Sequence, residues 1–196
     1  MNVEQRNELL QQMLETEIGG VKVYETALTC ALNEDLKEEW EKYLEQTKSH
    51  VATVETLMQT LGVPSQDTSG RLVVRHIGGS LVAAMELAKG SAPPEAAEIV
   101  ACECVVHAET KDHANWELLS TYGQSAKGDE KKAIDAAIEE TEEQEDEHLY
   151  HSKGWCRELS IASLGMKAVL PPPEEQKDVK TAIGAARAKQ TRKDLI

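Results

Sequence analysis

Four long segments of this chain repeat apolar residues at spacings of three and four, and each repeat is interrupted near its middle by an acid or a histidine. The first runs Leu10, Leu14, Val21, Tyr24 and Leu28, with Glu17 in the position that completes the seam. The second runs Leu36, Trp40, Tyr43, Thr47, His50, Val54, Leu57 and Leu61. The third is Ile99, Cys102, Val106, Glu109, His113, Trp116 and Leu119; the fourth is Ile134, Ile138, Thr141, Glu145, His148, Ser152, Trp155 and Leu159. Such spacing lays one apolar stripe along a helix, and the stripe has to be buried against others. A carboxylate buried without a partner is strongly destabilising, so acids in these stripes demand something positive beside them. A divalent cation meets that demand.

Clustered helix breakers separate the segments. Helical periodicity covers residues 3 to 32, and Asn33 supplies an N-cap for a second pattern from Glu34 to Leu61. The stretch GVPSQDTSG, Gly62 to Gly70, reads as a loop. A shorter helix follows over Leu72 to Lys89, and GSAPP, Gly90 to Pro94, ends it and places prolines at the start of the third long helix, Glu95 to Tyr122. GQSAKGD, Gly123 to Asp129, turns the chain into a fourth that continues to Ser160. With hardly any β pattern, the sequence predicts an all-α chain: an antiparallel four-helix bundle over residues 1–165, made of two helical hairpins joined by a shorter crossover helix.

The interruptions share a level. With Asn33 as the turn, Glu17 lies 16 residues before it and Thr47 and His50 lie 14 and 17 after it. At about 1.5 Å rise per residue, an antiparallel hairpin sets them side by side. Around a turn centred near Lys127, Glu109 lies 18 residues before, and Glu145 and His148 lie 18 and 21 after. The halves also align. LEQTKSHVATVETLMQTL over EEQEDEHLYHSKGWCREL matches His50 with His148, Gln46 with Gln144 and Leu61 with Leu159, as in a duplicated hairpin. In the acidic run ETEEQEDEHLYHSKGW, Glu140 to Trp155, this register turns Glu145 and His148 inward and assigns Glu140, Glu143, Asp146 and Glu147 to the outer face.

The net charge of −14 argues against a nucleic-acid partner, which would need a basic face, and is compatible with metal cations. No run approaches the roughly 20 apolar residues of a membrane span, and MNVEQRNELLQQ lacks the features of a signal peptide, so a cytoplasmic protein without a membrane partner is expected. Cys30, Cys102, Cys104 and Cys156 are scattered and read as reduced thiols in or near the core. His76, His107 and His151 fall off the stripes or at their edge. Residues 166–196 form a Pro-rich linker and a basic tail, which from Gln176 onward holds six basic and two acidic residues. That arm can dock on its own bundle, on a neighbouring subunit, or on nothing.

These stripes and spacings make residues 5–160 resemble the ferritin-like superfamily, in particular its small bacterial stress-associated members. The resemblance implies a bundle in which two helices each give one Glu and the other two each give Glu-x-x-His to a di-iron or di-manganese carboxylate centre. By position, Glu17 and Glu109 match the single carboxylates, Glu145 and His148 match one Glu-x-x-His, and His50 matches the histidine of the other. Tyr24 matches a tyrosine found seven residues after the first carboxylate in ferritins and rubrerythrins, and would stand behind the ligands. Thr47 departs from the pattern, since it occupies the slot of the second bridging Glu. His113 and Glu142 are the nearest replacements. With three carboxylates, the second of two ions would be held weakly or not at all.

The resulting expectation is a metal-binding protein carrying one or two iron or manganese ions per chain, with an oxidoreductase activity of ferroxidase or peroxidase type that uses O₂ or peroxide. The second reading, which Thr47 favours, is a non-enzymatic stress or interaction protein with a degenerate site. Association into a homo-oligomer stays open.

Overall fold

Asn2, Asn33 and Thr68 each accept a hydrogen bond from the backbone N–H three residues on, at 3.1–3.2 Å, and so start three helices at short polar side chains. In the computed structural model, which describes residues 2–196, these are α1 (Val3–Leu28), α2 (Glu34–Thr60) and α3 (Ser69–Ser91). Pro94 then sits in the first turn of α4 (Pro94–Gly123), where its missing N–H costs nothing, and α5 (Gly128–Ser163) follows a short turn. The chain ends in α6 (Pro173–Gln176), α7 (Ala182–Thr191) and a 3₁₀ turn at Arg192–Asp194. The expectation of an all-α chain holds: 82% of it is helical, no strand occurs among the described residues, and the seven helices pack together. No helix among these residues is long and apolar enough to cross a membrane.

Helix α1 packs against α2, α3 and α4, and α5 packs against α2 and α4. The first helix stops four residues earlier than its periodicity predicts. The cause is remote in sequence: the Glu98 carboxylate of α4 accepts from the freed backbone N–H groups of Leu32 and Asn33, at 2.7 and 2.8 Å, and holds the α1–α2 turn open.

Apolar packing falls into two clusters. One gathers Tyr24, Trp40, Tyr43, Met85 and Trp155; the other gathers Leu10, Leu14, Leu57, Trp116, Leu119 and Ile134. With no Phe in the chain, Trp and Tyr supply the bulk. Each of the four long helices contributes to both clusters and carries buried polar residues between them, so a polar layer divides the core.

The basic tail docks on its own chain. Arg157 of α5 makes paired hydrogen bonds to Glu174 at 2.7 and 2.8 Å, and the Trp155 indole donates to Glu175. The fully buried Glu158 accepts from Val169 N, Arg157 and Arg192 at 2.8–2.9 Å. The fit is close at Gly154, where a Cβ would lie 2.8 Å from Glu174 Oε2 and 2.9 Å from Pro172 Cβ. Arg192→Ala removes one of the two cations facing Glu158 and frees the end of the tail. Tryptic cleavage at Lys177, Lys180 and Arg187 is expected to accelerate several-fold while α1–α5 stay intact; unchanged protection would assign the anchoring to Glu174 and Glu175 alone.

Candidate metal centre

The polar layer is built from one stretch of each long helix. Glu17 comes from α1, His50 from α2, Glu109 and Asp112 from α4, and Glu145 and His148 from α5; none is more than 4% exposed. His50 Nδ1 is 2.8 Å from Glu145 Oε1 and 3.8 Å from Glu17 Oε2, and His148 Nδ1 is 3.6 Å from Glu109 Oε2. The atoms that face one another are those without hydrogen bonds: Glu17 Oε2, Glu109 Oε2, Asp112 Oδ1, both Glu145 oxygens, and Nδ1 of both histidines. The His50–Glu145 approach is short but lacks hydrogen-bond alignment, so proximity there is not pairing. No lysine or arginine forms a salt bridge with any of the four carboxylates among the described residues.

The outer nitrogens are all satisfied. His50 Nε2 meets Gln144 Oε1 at 3.0 Å, and His148 Nε2 meets Gln46 Oε1 at 2.9 Å. With the amide oxygens as acceptors, each ring carries its proton on Nε2 and turns a bare Nδ1 lone pair to the carboxylates, the state of a metal-binding imidazole. The two pairs cross between α2 and α5, with residue numbers rising in one helix as they fall in the other, so the two helices run antiparallel. Trp116 donates to Glu17 Oε1 at 3.0 Å, which leaves the other oxygen of Glu17 facing inward.

Crowding these acids together changes their acidity. Burial, and then the Glu109 charge, push Glu145 up to about 8. Burial raises Glu17 and Asp112 as well, followed by Asp112 and Glu145 acting on Glu17, and by Glu145 and Glu109 acting on Asp112. Burial pushes His50 down. Tyr24 is fully buried, its hydroxyl is without a partner, and its ring meets His148 edge-on at 6.2 Å. Burial and the nearby Glu109 raise its phenol.

All five ligand positions read from the stripes, Glu17, His50, Glu109, Glu145 and His148, therefore lie in one buried layer with Tyr24 beside it. Asp112 is the residue that sequence reasoning missed. It lies three residues after Glu109 and four before Trp116, on the same seam, and its carboxylate sits within 4.8 Å of ligand atoms of Glu17 and Glu145. His113, one position further round the helix, instead points to Asp146 at 2.7 Å, and Glu142 is exposed; neither joins the layer. Thr47 is 2% exposed but its hydroxyl donates to Tyr43 O at 2.9 Å, and its methyl lies against Gly20, where a Cβ would come within 3.2 Å.

A second group lies beside the first. Glu147, assigned to the outer face from the sequence, is buried and paired with Lys42 of α2, and it stands near Glu39 and His151. Tyr43 joins the groups: its ring covers that of His148 at 4.2 Å between centroids, while its hydroxyl donates to Glu39 and lies 3.0 Å from His151 Nδ1. Burial raises Glu39, but hydrogen bonds from His151, Glu175 and Tyr43 outweigh it and hold the carboxyl at about 2. The lysine already supplies this second group with a positive charge. Among the described residues, no lysine or arginine is paired with a carboxylate of the first group.

No protein-family model, curated protein or solved structure matches this chain.

Proposed function

We propose that the chain is a metal-binding protein of ferritin-like architecture, with α1, α2, α4 and α5 forming an antiparallel four-helix bundle around a centre for two iron or manganese ions, and that this centre oxidises Fe(II) with O₂ or peroxide. One observation carries the reading. Four carboxylates and two imidazoles turn unpartnered atoms toward one another in the core, and among the described residues no lysine or arginine forms a salt bridge with these carboxylates. Two divalent cations would balance the four carboxylates, and oxygen and imidazole donors suit iron and manganese.

Glu17, Glu109, Asp112, Glu145, His50 and His148 would hold the ions. Gln46 and Gln144 keep both histidines in the binding tautomer, Trp116 orients Glu17, and the two apolar clusters flank the layer. Bound Fe(II) would supply one electron per ion, so a pair would match the reduction of peroxide, with two electrons and two protons, to two waters.

The test is an anaerobic Fe(II) titration of protein freed of metal. Two ions per chain are expected for the native sequence, and loss of tight binding for Glu145→Ala. The second reading, a non-enzymatic interaction protein with a degenerate site, draws on Thr47, whose hydroxyl is committed to the Tyr43 carbonyl. A native protein that binds no Fe(II) would decide for it.

A further inference from the structure

A cleft of about 780 Å³ opens between α4 and α5, and two of its lining residues, Trp116 and Glu145, belong to the buried layer. Glu145 is 2% exposed and neither of its oxygens has a hydrogen-bond partner. Above it the cleft is lined by the His113–Asp146 pair, half-buried and 2.7 Å apart, and at the surface by the exposed Glu117 and Glu142. Thr181 and Ala182, at the start of α7, complete the rim. Acidic side chains thus continue from solvent to centre, from the exposed Glu117 and Glu142 through Asp146 to the buried Glu145, whose oxygens have no hydrogen-bond partner.

We propose that this cleft is the route by which hydrated divalent cations reach the centre, with Asp146 as the step between surface and core and the docked tail as part of its wall. The inference rests on the metal-binding reading above. Acids at the mouth raise the local cation concentration, and replacing water by carboxylate oxygens one stage at a time spares the ion a single large desolvation. A cation finds a ligand at each depth.

The experiment follows Co(II) uptake by the full-length, metal-free chain, using stopped-flow visible absorption, and release to a chelator, alongside the equilibrium Kd. Ala114→Trp fills the cleft from the α4 wall and Ala182→Trp fills it from the rim. Each is expected to slow uptake and release alike, by about 10-fold, with Kd unchanged, because blocking a route alters rates in both directions equally. Asp146→Asn is expected to slow uptake about 3-fold at low salt, the deficit vanishing in concentrated salt. Helicity and melting temperature check that each variant is folded.

Unchanged rates in Ala114→Trp overturn the route while leaving the centre standing. Slower uptake in Ser49→Trp instead, on the groove lined by α2 and α5, likewise overturns it and relocates the path. A native chain that takes up no Co(II), Mn(II) or Fe(II) overturns the centre itself, and the route with it.

Discussion

Millimolar Mn(II) is expected to raise the melting temperature of the metal-free protein by roughly 10–20 °C at pH 8, and by clearly less at pH 6.5. The reason lies in who holds the protons. Glu145 titrates at about 8 in the folded protein, and Glu17 and Asp112 are raised in the same direction, whereas all three ionise near their ordinary values once unfolded. Below those ordinary values both states are protonated and the stabilisation is complete. As pH climbs toward 8 the folded state must give up protons that the unfolded state has already lost, so stability drains away. His50, pushed down by burial, acts oppositely, but only below its ordinary value of 6.5. In the window from pH 6.5 to 8 the raised carboxylates dominate; Glu175, which burial and Glu39 push up to about 8, is among them but lies outside the centre, so it contributes equally with and without the cation. A cation replaces those protons with a charge that does not titrate, so its benefit should grow as the protons leave. Differential scanning calorimetry at both pH values tests this; equal gains would mean that the buried acids do not bind the ion, and Glu145→Ala should flatten the difference.

Moving one carboxylate across the centre should move a metal ion with it. Asp112→Asn leaves three carboxylates against two divalent cations, and the second ion is expected to bind at least roughly 100-fold more weakly. Thr47→Glu alone adds a fifth acid to the layer. The new side chain also crowds the α1–α2 approach, since a Cβ on Gly20 would already lie 3.2 Å from the Thr47 methyl. The metal-free single variant should therefore melt below the parent. In the double variant Asp112→Asn/Thr47→Glu the count returns to four, and two-ion binding should be regained without exceeding the parent's affinity. Isothermal titration gives both stoichiometry and affinity. If Asp112→Asn binds two ions as the parent does, Asp112 is a bystander and three carboxylates suffice.

Much of the centre could be read from periodicity, because Glu17, His50, Glu109, Glu145 and His148 each stand where a leucine would complete a stripe. The helix itself concealed Asp112. A seam can advance by three residues or by four, and from Glu109 the two steps lead to Asp112 and His113, about 100° apart. Only the packing of α4 against its neighbours selects between them. The same holds for the end of α1, which is set by Glu98 from a helix far along the chain. Glu147 looked solvated because its neighbours Glu140 and Glu143 are; Lys42 on α2 supplies the charge that permits its burial. Nor did the basic tail betray its anchors. Arg192 reaches back to Glu158 of α5, while Glu174 of the linker takes Arg157, and all four residues stand in ordinary-looking charged stretches.

The crossed pairs Gln46–His148 and His50–Gln144 act together as a mechanical stop. If α2 slid along α5 by a single residue, about 1.5 Å, neither glutamine would meet its histidine, and both imidazoles would be free to swing at once. Each hairpin thus clamps the other's ring, and the alignment of the two rods is held to the tolerance of a hydrogen bond at the height where the buried carboxylates and imidazoles meet. Grease on either side keeps the rods together but would let them slip; the crossed pair is the notch that says where they stop.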